Sequence, residues 1–345
     1  MRPKLPRVLF ICNRRIDGYG YTVGLSNEAK RTCEVLTERG VIDGIFERVD
    51  DSNDVDRVTF HHKPDIVIIE AVWVPPQKLA VLDKIYTGKV KYWITRLHSN
   101  IPFLATEGNA MQWLNGYLAI RSPRILIGAN SEHAVEDLGV EFNTGITYLP
   151  NVYVPDGPVL PFVARHNPRT INVACLGALR PMKNQLLQAI AAISFADDIG
   201  KQLVFHINAD RVEQGGSNIL KNLRALFASR TEHVLVENPW LGADALTALL
   251  STMDISMQVS LSETFNLVTA DAVTAGCPIV VSSEVAWAAP ETKVAVPTSR
   301  DAIVHAMGRA YRRAEGNVED NRAALAHSAH CAIDVWQDAI RGLTS

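Results

Sequence analysis

Cysteines that could pair are scarce in this chain. It has five in 345 residues, an odd number, and Cys12, Cys33, Cys175, Cys277 and Cys331 are scattered and mostly set among apolar neighbours, where a thiol packs as a small hydrophobe. A disulfide framework is excluded, and a reducing compartment is expected. Long apolar runs are missing too: nothing approaches the roughly 20 residues needed to cross a bilayer, and Val8 to Cys12 is too short for the core of a secretory signal. A cytoplasmic protein is expected. Neither sign of charge dominates, with 34 Lys and Arg against 37 Asp and Glu spread along the chain, so neither half reads as a polyanion-binding surface. The exception is local: Arg2, Lys4, Arg7, Arg14 and Arg15 meet no acid before Asp17, a run read as a solvated terminus. No unit of about 20–50 residues repeats, which excludes a solenoid.

What is present is core-forming material, 47% hydrophobic against 21% charged, in a length that suits two domains. Short β-rich apolar runs alternate with longer segments of helical period, the pattern of parallel sheets covered by crossover helices. In the first half the strands fall at Arg7–Cys12, Val41–Phe46, Asp65–Glu70, Lys91–Thr95, Ile125–Ala129 and Ile146–Leu149. A helix is expected from Ser26, as its N-cap, to Arg39, with Gly40 past its end. The run DIVIIE, Asp65–Glu70, is too evenly aliphatic for a sheet with one wet face.

Pro150, Pro155, Pro158, Pro161 and Pro168 then forbid a regular helix or central strand and mark a linker at 156–169. Beyond it the cycle restarts, with strands at Ile171–Leu176, Leu203–Asn208, His233–Glu237, Ile255–Val259 and Pro278–Ser282. The matching helices are expected at about Met182–Phe195, Asn218–Phe227, Asp244–Thr252 and Phe265–Ala275. The expected architecture is α/β, two Rossmann-like doubly wound domains (1–155 and 170–310) facing across a cleft. A helical segment follows, Asp301 to Arg341 by composition, whose 311–345 part crosses back to the first domain.

The stretch Ser260–Ser282, SLSETFNLVTADAVTAGCPIVVS, is the most informative. Glu263 stands just before a helix, Asp271 eight positions later, and Gly276 stops the helix before a buried strand. On helical rise the two carboxylates are about 12 Å apart, about the span of a nucleotide sugar from hexose to ribose. The backbone N–H groups of Thr264, Phe265, Asn266 and Leu267 at the helix start can face an anion. Carboxylates pair well with vicinal hydroxyls. Glu263 could thus hold the sugar and Asp271 the ribose; the plain alternative is that Glu263 favours the helix dipole and Asp271 sits on a polar face.

A second constellation follows strand Ile171–Leu176: Gly177-Ala178-Leu179-Arg180-Pro181-Met182-Lys183-Asn184, then a helix. A glycine turn, two cations and a helix start make a pyrophosphate cradle, the glycine allowing close approach and Arg180 and Lys183 neutralising charge. Two surface cations beside a helix are also common without a ligand. The stretch is no P-loop, which needs G-x-x-x-x-G-K and then Ser or Thr, so nucleoside-triphosphate hydrolysis is not indicated.

Together and in this order, the two stretches resemble the second domain of family 4 glycosyltransferases of the GT-B fold. That domain carries a Glu-x7-Glu pattern, often S-x-x-E-G-F-G followed by E-A-x-A-x-G-x-P, preceded by an Arg/Lys pair. Here Ser260, Glu263, Phe265, Asp271, Ala272, Gly276 and Pro278 stand in those places. Asp271 replaces the second Glu, and Thr264 and Asn266 replace the glycines flanking Phe265. In the first half, Ser131 opening a helix and Leu149-Pro150-Asn151 as a hinge element extend the likeness. The resemblance implies an N-terminal acceptor domain and a C-terminal nucleotide-sugar domain. It also implies a nucleotide-diphosphate sugar, such as UDP-glucose, as co-substrate, no obligatory cofactor or metal, and transfer of a sugar to a hydroxyl with retention of anomeric configuration. His98, after a predicted parallel strand, would contact the donor sugar, where the plain reading of a lone histidine is structural. The loop Gly18-Tyr19-Gly20-Tyr21 would line the cleft near sugar or acceptor, or be a plain turn, and Glu107 would reach the acceptor or cap a helix.

Two tempting motifs are set aside. Asp54-Val55-Asp56 matches a metal-binding D-x-D but reads as a solvated polar loop, and His327, His330 and Cys331 lack a fourth ligand for zinc. The acceptor stays open: soluble, polysaccharide, or a hydroxymethylated pyrimidine in DNA, which would require base extrusion and salt-sensitive binding. A nucleotide-sugar 2-epimerase and a non-catalytic nucleotide-sugar-binding relative share the layout.

Overall fold

Runs of four or more buried aliphatics recur along the chain because both faces of each central strand are covered. The computed structural model describes residues 5–14, 23–155, 157–164 and 167–344. The chain divides into two compact units, Met1–Val154 with Ser328–Ser345, and Pro155–His327. In the first, strands β1 (Arg7–Asn13), β2 (Asp43–Val49), β3 (Ile66–Glu70), β4 (Tyr92–Leu97), β5 (Ile125–Ala129) and β6 (Thr147–Tyr148) form a parallel sheet of order β2-β1-β3-β4-β5-β6. In the second, β7 (Thr170–Ala174), β8 (Gln202–Asn208), β9 (Val234–Asn238), β10 (Ile255–Gln258), β11 (Ile279–Ser282) and β12 (Lys293–Val294) form another, β12-β11-β10-β7-β8-β9. Every residue of β3 is buried, as the DIVIIE run requires.

The helices of the first unit are α1 (Val23–Glu38), α2 (Asp54–His62), α3 (Pro76–Ile85), α4 (Ile101–Leu104), α5 (Ala110–Ala119) and α6 (Glu132–Phe142). Those that follow are α7 (Gln185–Asp198), α8 (Gly216–Ser229), α9 (Ala243–Leu250), α10 (Leu267–Thr274), α11 (Arg300–Arg312) and α12 (Ala314–Thr344). Asn317 on α12 ties both its side-chain ends to the main chain of Ile279. Further along the same helix, Ala332, Ile333, Trp336 and Ile340 join the core of Val8, Phe10, Ile66, Ile68 and Ile94, and Trp336 Nε1 donates to the Pro150 carbonyl at 2.8 Å.

Several expectations need correction. Ser26 caps nothing: α1 begins at Val23, and the buried Ser26 hydroxyl accepts from Arg48 Nε at 2.6 Å. Asp54 and Asp56 lie in the first turn of α2, not in a loop, and Asp56 Oδ1 accepts from the Tyr86 hydroxyl. The strand expected at Ile146–Leu149 is only Thr147–Tyr148. The C-terminal segment is two helices, because Arg313 (φ −116, ψ 38) leaves the helical region between them. The helix expected from Met182 is a 3₁₀ turn, Pro181–Lys183, followed by α7, since Asn184 adopts φ +57.

Candidate functional site

In a doubly wound sheet, ligands bind beyond the carboxyl ends of the strands where the winding direction reverses. In the second unit the order runs from β7 through β8 to β9 on one side and from β10 through β11 to β12 on the other, so the reversal lies between β7 and β10. The two motifs singled out in the sequence leave these two strands. After β7, Gly177 turns at φ +109, and its N–H donates to Asn208 Oδ1 at 2.8 Å. A Cβ there would touch Val268 in the first turn of α10 at 3.7 Å, so the glycine turn and that helix start lie against each other. After β10, Ser260 is fully buried and its hydroxyl donates to Glu263 Oε1 at 3.1 Å; the same oxygen pairs with Lys183 Nζ. The Leu261 N–H donates to the Met182 carbonyl at 2.8 Å, holding the two loops in register. Asn184 and Gln188 complete the join through Val259, as Asn184 Nδ2 donates to its carbonyl and Gln188 Oε1 accepts from its N–H.

Helix α10 starts at Leu267, two residues later than the sequence pattern suggests, because Asn266 adopts φ +64 and becomes the N-cap. Its side chain accepts from Thr269 N and donates to Gln258 Oε1 at 3.0 Å. Asparagine tolerates the left-handed region better than most residues. Asn266 stands where the resembling motif has glycine, so the substitution keeps the backbone shape and adds a cap. The carboxylate span computed for continuous helix does not apply, since Glu263 to Asn266 is non-helical. Among the described residues no bond is made by the first-turn N–H groups of Leu267 and Val268, which leaves them available to an acceptor. The carbonyl of Phe265 accepts from Trp287 Nε1 at 2.7 Å and its ring lies 5.7 Å from that of Trp287. Asp271 lies on α10 one turn past Leu267 and is half-buried.

Burial pushes the Lys183 ammonium below its ordinary pKa, and the neighbouring Glu263 carboxylate opposes that shift. Arg180 takes a different partner, Glu213, at 3.5 Å. Thus Lys183, Glu263, Ser260 and the 3₁₀ turn come together, with Gly177 beside the α10 start, while Arg180 is drawn toward the loop after β8.

The first unit has its own polar group at the same sheet edge. Arg96, near the end of β4, is wholly buried between Glu28 of α1 and Glu70 at the end of β3, bonded to both at 3.0–3.3 Å. It also donates to the Leu149 carbonyl and to Asn151 Oδ1, and its guanidinium lies 5.3 Å from the Trp336 ring centroid. His98 Nε2 is 2.5 Å from Glu70 Oε2, and Nδ1 is 3.4 Å from Asn130 Nδ2. Burial raises the Glu70 pKa, but Arg96 and His98 more than offset it and hold the carboxyl below its usual range. Sequence reading found His98 and missed Glu28, Glu70 and Asn130. The available signal was Arg96 itself, a charge inside a buried strand. Gly18, Gly20 and Tyr21 lie outside the described residues. Glu107 sits in the turn between α4 and α5, half-buried, its carbonyl accepting from Ala110 N. Ser131 caps α6 through Ala134 N, as expected.

Solved structures share this fold. Sucrose-phosphate synthase from Thermosynechococcus elongatus superposes with TM-score 0.68 at 13% identity, covering 98% of this chain and 99% of that one. The E. coli trehalose-6-phosphate structure bound with UDP-2-fluoro glucose gives 0.64 at 12% identity, over 98% of each chain. The UDP-forming α,α-trehalose-phosphate synthase of Burkholderia xenovorans, in complex with glucose-6-phosphate, gives 0.61 at 13% identity, covering 85% of this chain and 77% of that one. The chain has the GT-B fold. No family model matches the sequence, and no curated protein matches it. At these identities the likeness shows fold alone. No helix among the described residues is long and apolar enough to cross a membrane.

Proposed function

We propose that the protein is a retaining glycosyltransferase of the family 4 type, moving a hexose from a nucleotide-diphosphate sugar to a hydroxyl acceptor. The observation that carries this is the grouping at the winding reversal of the second unit. There a glycine turn, the Lys183–Glu263 pair and the unpaired first-turn amides of Leu267 and Val268 stand together. In this reading the diphosphate accepts hydrogen bonds from those amides and takes Lys183 from Glu263, and Arg180 adds a second cation. Glu263, released, accepts from sugar hydroxyls, and Asp271 from the ribose. As the acceptor oxygen bonds to the anomeric carbon, the bond from that carbon to the phosphate oxygen breaks. The cations and amides stabilise the charge growing on the leaving diphosphate, which also takes the acceptor's proton. His98, oriented by Glu70, is the residue of the first unit proposed to meet a sugar.

The solved relatives make sugar phosphates, and one is bound to glucose-6-phosphate, so phosphorylated hexoses are the acceptors to try first. The test is a panel of UDP-, GDP- and ADP-sugars scored by thermal shift, followed by product analysis with glucose-6-phosphate and with unphosphorylated sugars. A donor that binds the native state raises the melting temperature. We expect one nucleotide series to do so and one acceptor to yield an α-linked product from an α-linked donor. No shift with any of them would overturn the reading.

A further inference from the structure

The turn that carries Arg180 is built against a second loop. Beyond β8, Val212 pairs with Leu179 as a parallel bridge; Leu179 N–H donates to the Arg211 carbonyl and Glu213 N–H to the Leu179 carbonyl, both at 2.9 Å. Gln214 (φ +47) and Gly215 (φ +88) then turn the chain so tightly that a Cβ on Gly216 would lie 1.9 Å from the Leu179 carbonyl oxygen. Main chain fixes Glu213 on both sides, and its side chain is only 13% exposed. Each carboxylate oxygen serves a different guanidinium, Oε1 accepting from Arg211 Nε at 2.6 Å and Oε2 facing Arg180 Nη1 at 3.5 Å. Arg211 is pinned in turn, 4.4 Å over the ring of Trp240.

A fixed carboxylate beside a diphosphate cradle is electrostatically unfavourable for the bound anion. It is understandable if it sets the geometry of a cation that otherwise has many rotamers to lose. We infer that Glu213 is a positioning residue for Arg180, keeping the guanidinium in one rotamer at the Gly177–Lys183 turn before the nucleotide arrives. This deepens the proposed function and rests on it, because it takes Arg180 to act on a diphosphate.

The test is a double-mutant cycle read by calorimetric titration of the full chain with UDP, GDP and ADP, using Arg180→Ala, Glu213→Ala and the double variant. We expect Glu213→Ala to weaken the nucleotide that binds by about tenfold, and to add less than about twofold once Arg180 is gone, since coupled residues are not additive. Glu213→Gln, which keeps size and an acceptor oxygen, should fall between the wild type and Glu213→Ala, and it carries the cycle if the alanine variant does not fold. Full additivity, or tighter binding in the Glu213 variants, would overturn the positioning role and leave the glycosyltransferase reading standing. Wild-type protein that binds no nucleoside diphosphate would overturn both. A second readout needs no ligand: the Arg180 side-chain N–H resonance should be slow to exchange in the wild type and lost in Glu213→Gln, and its persistence there would overturn the positioning role alone.

Discussion

Both units gather charge at the carboxyl edge of a parallel sheet, and they use it differently. In the first, Arg96 has no exposed surface, and its Nε and both Nη atoms are bonded to Glu28, Glu70, Asn151 and the Leu149 carbonyl. In the second, Lys183 and Glu263 remain 10% and 7% exposed, beside helix amides that make no bond among the described residues. A closed network binds chain to chain, here α1, β3, β4 and the segment after β6. An ion pair that keeps some contact with solvent can exchange one partner for a ligand at little structural cost. The difference teaches that a cluster of charges at the ligand edge of such a sheet is not by itself a ligand site; what matters is whether its bonds are already all made by the protein.

The largest expected effect breaks the closed network. Arg96→Ala removes the cation shared by two buried carboxylates and should cost about 3–5 kcal/mol, read as a lowered midpoint in urea unfolding of the full chain. A loss below about 1 kcal/mol would mean that the network is weaker than its burial implies. Lys183→Ala should do the reverse, lowering turnover by about 10²–10³-fold with a much smaller loss of stability. Equal damage to stability from both variants would erase the contrast between the two units.

Acid sharpens the comparison next. The folded-state pKa of Glu70 is lower than its unfolded value, so its contribution to stability is fully present above the unfolded value, about 4.3. That contribution is lost as pH falls through the folded value. Glu70→Gln should therefore flatten the acid limb of a stability–pH curve. Lys183 gives the same sign of slope in the alkaline range, where the shift marks a cost of burying the charge, not a gain. Its folded pKa lies below the unfolded one, so the unfolded chain binds more protons in the window between them and stability rises with pH there. Lys183→Met should abolish that alkaline rise and leave the acid limb alone.

The same contrast decides what could be read without coordinates. The strands were legible because consecutive aliphatics such as Ile66–Ile69 suit only a sheet covered on both faces. The pairing of Lys183 with Glu263 was foreshadowed by their places after two strands of one domain, each at the start of a helical segment. The Arg96 network was not foreshadowed. Glu28 lies on a helical surface pattern like any other acid, and its pairing with Arg96 spans 68 residues, so no local period reports it. Nor was Glu213 legible, because its role depends on a two-residue bridge, Leu179 with Val212, too short to leave a pattern. Helix starts were misplaced at Met182 and Phe265 for one shared reason: a left-handed asparagine, Asn184 or Asn266, delays the helix without altering its apolar period.

The second of these asparagines supplies the smallest expected difference and the most discriminating test. Asn266→Ala loses the cap to Thr269 and the bond to the buried Gln258 and places alanine at φ +64, so three costs combine: about 1 kcal/mol for the cap, about 1–3 kcal/mol for the orphaned Gln258 oxygen and about 1 kcal/mol for the left-handed backbone. Asn266→Gly loses the same two bonds but removes the backbone cost, and should be the less damaging of the two by about 1 kcal/mol. The two variants also separate shape from hydrogen bonding at the ligand edge. If the first-turn amides of Leu267 and Val268 receive the diphosphate, glycine should preserve nucleotide affinity, because it preserves the turn that points them outward, while alanine should weaken it. Equal affinity in both variants would show that the left-handed turn matters to folding alone, and would move the anion away from the start of α10.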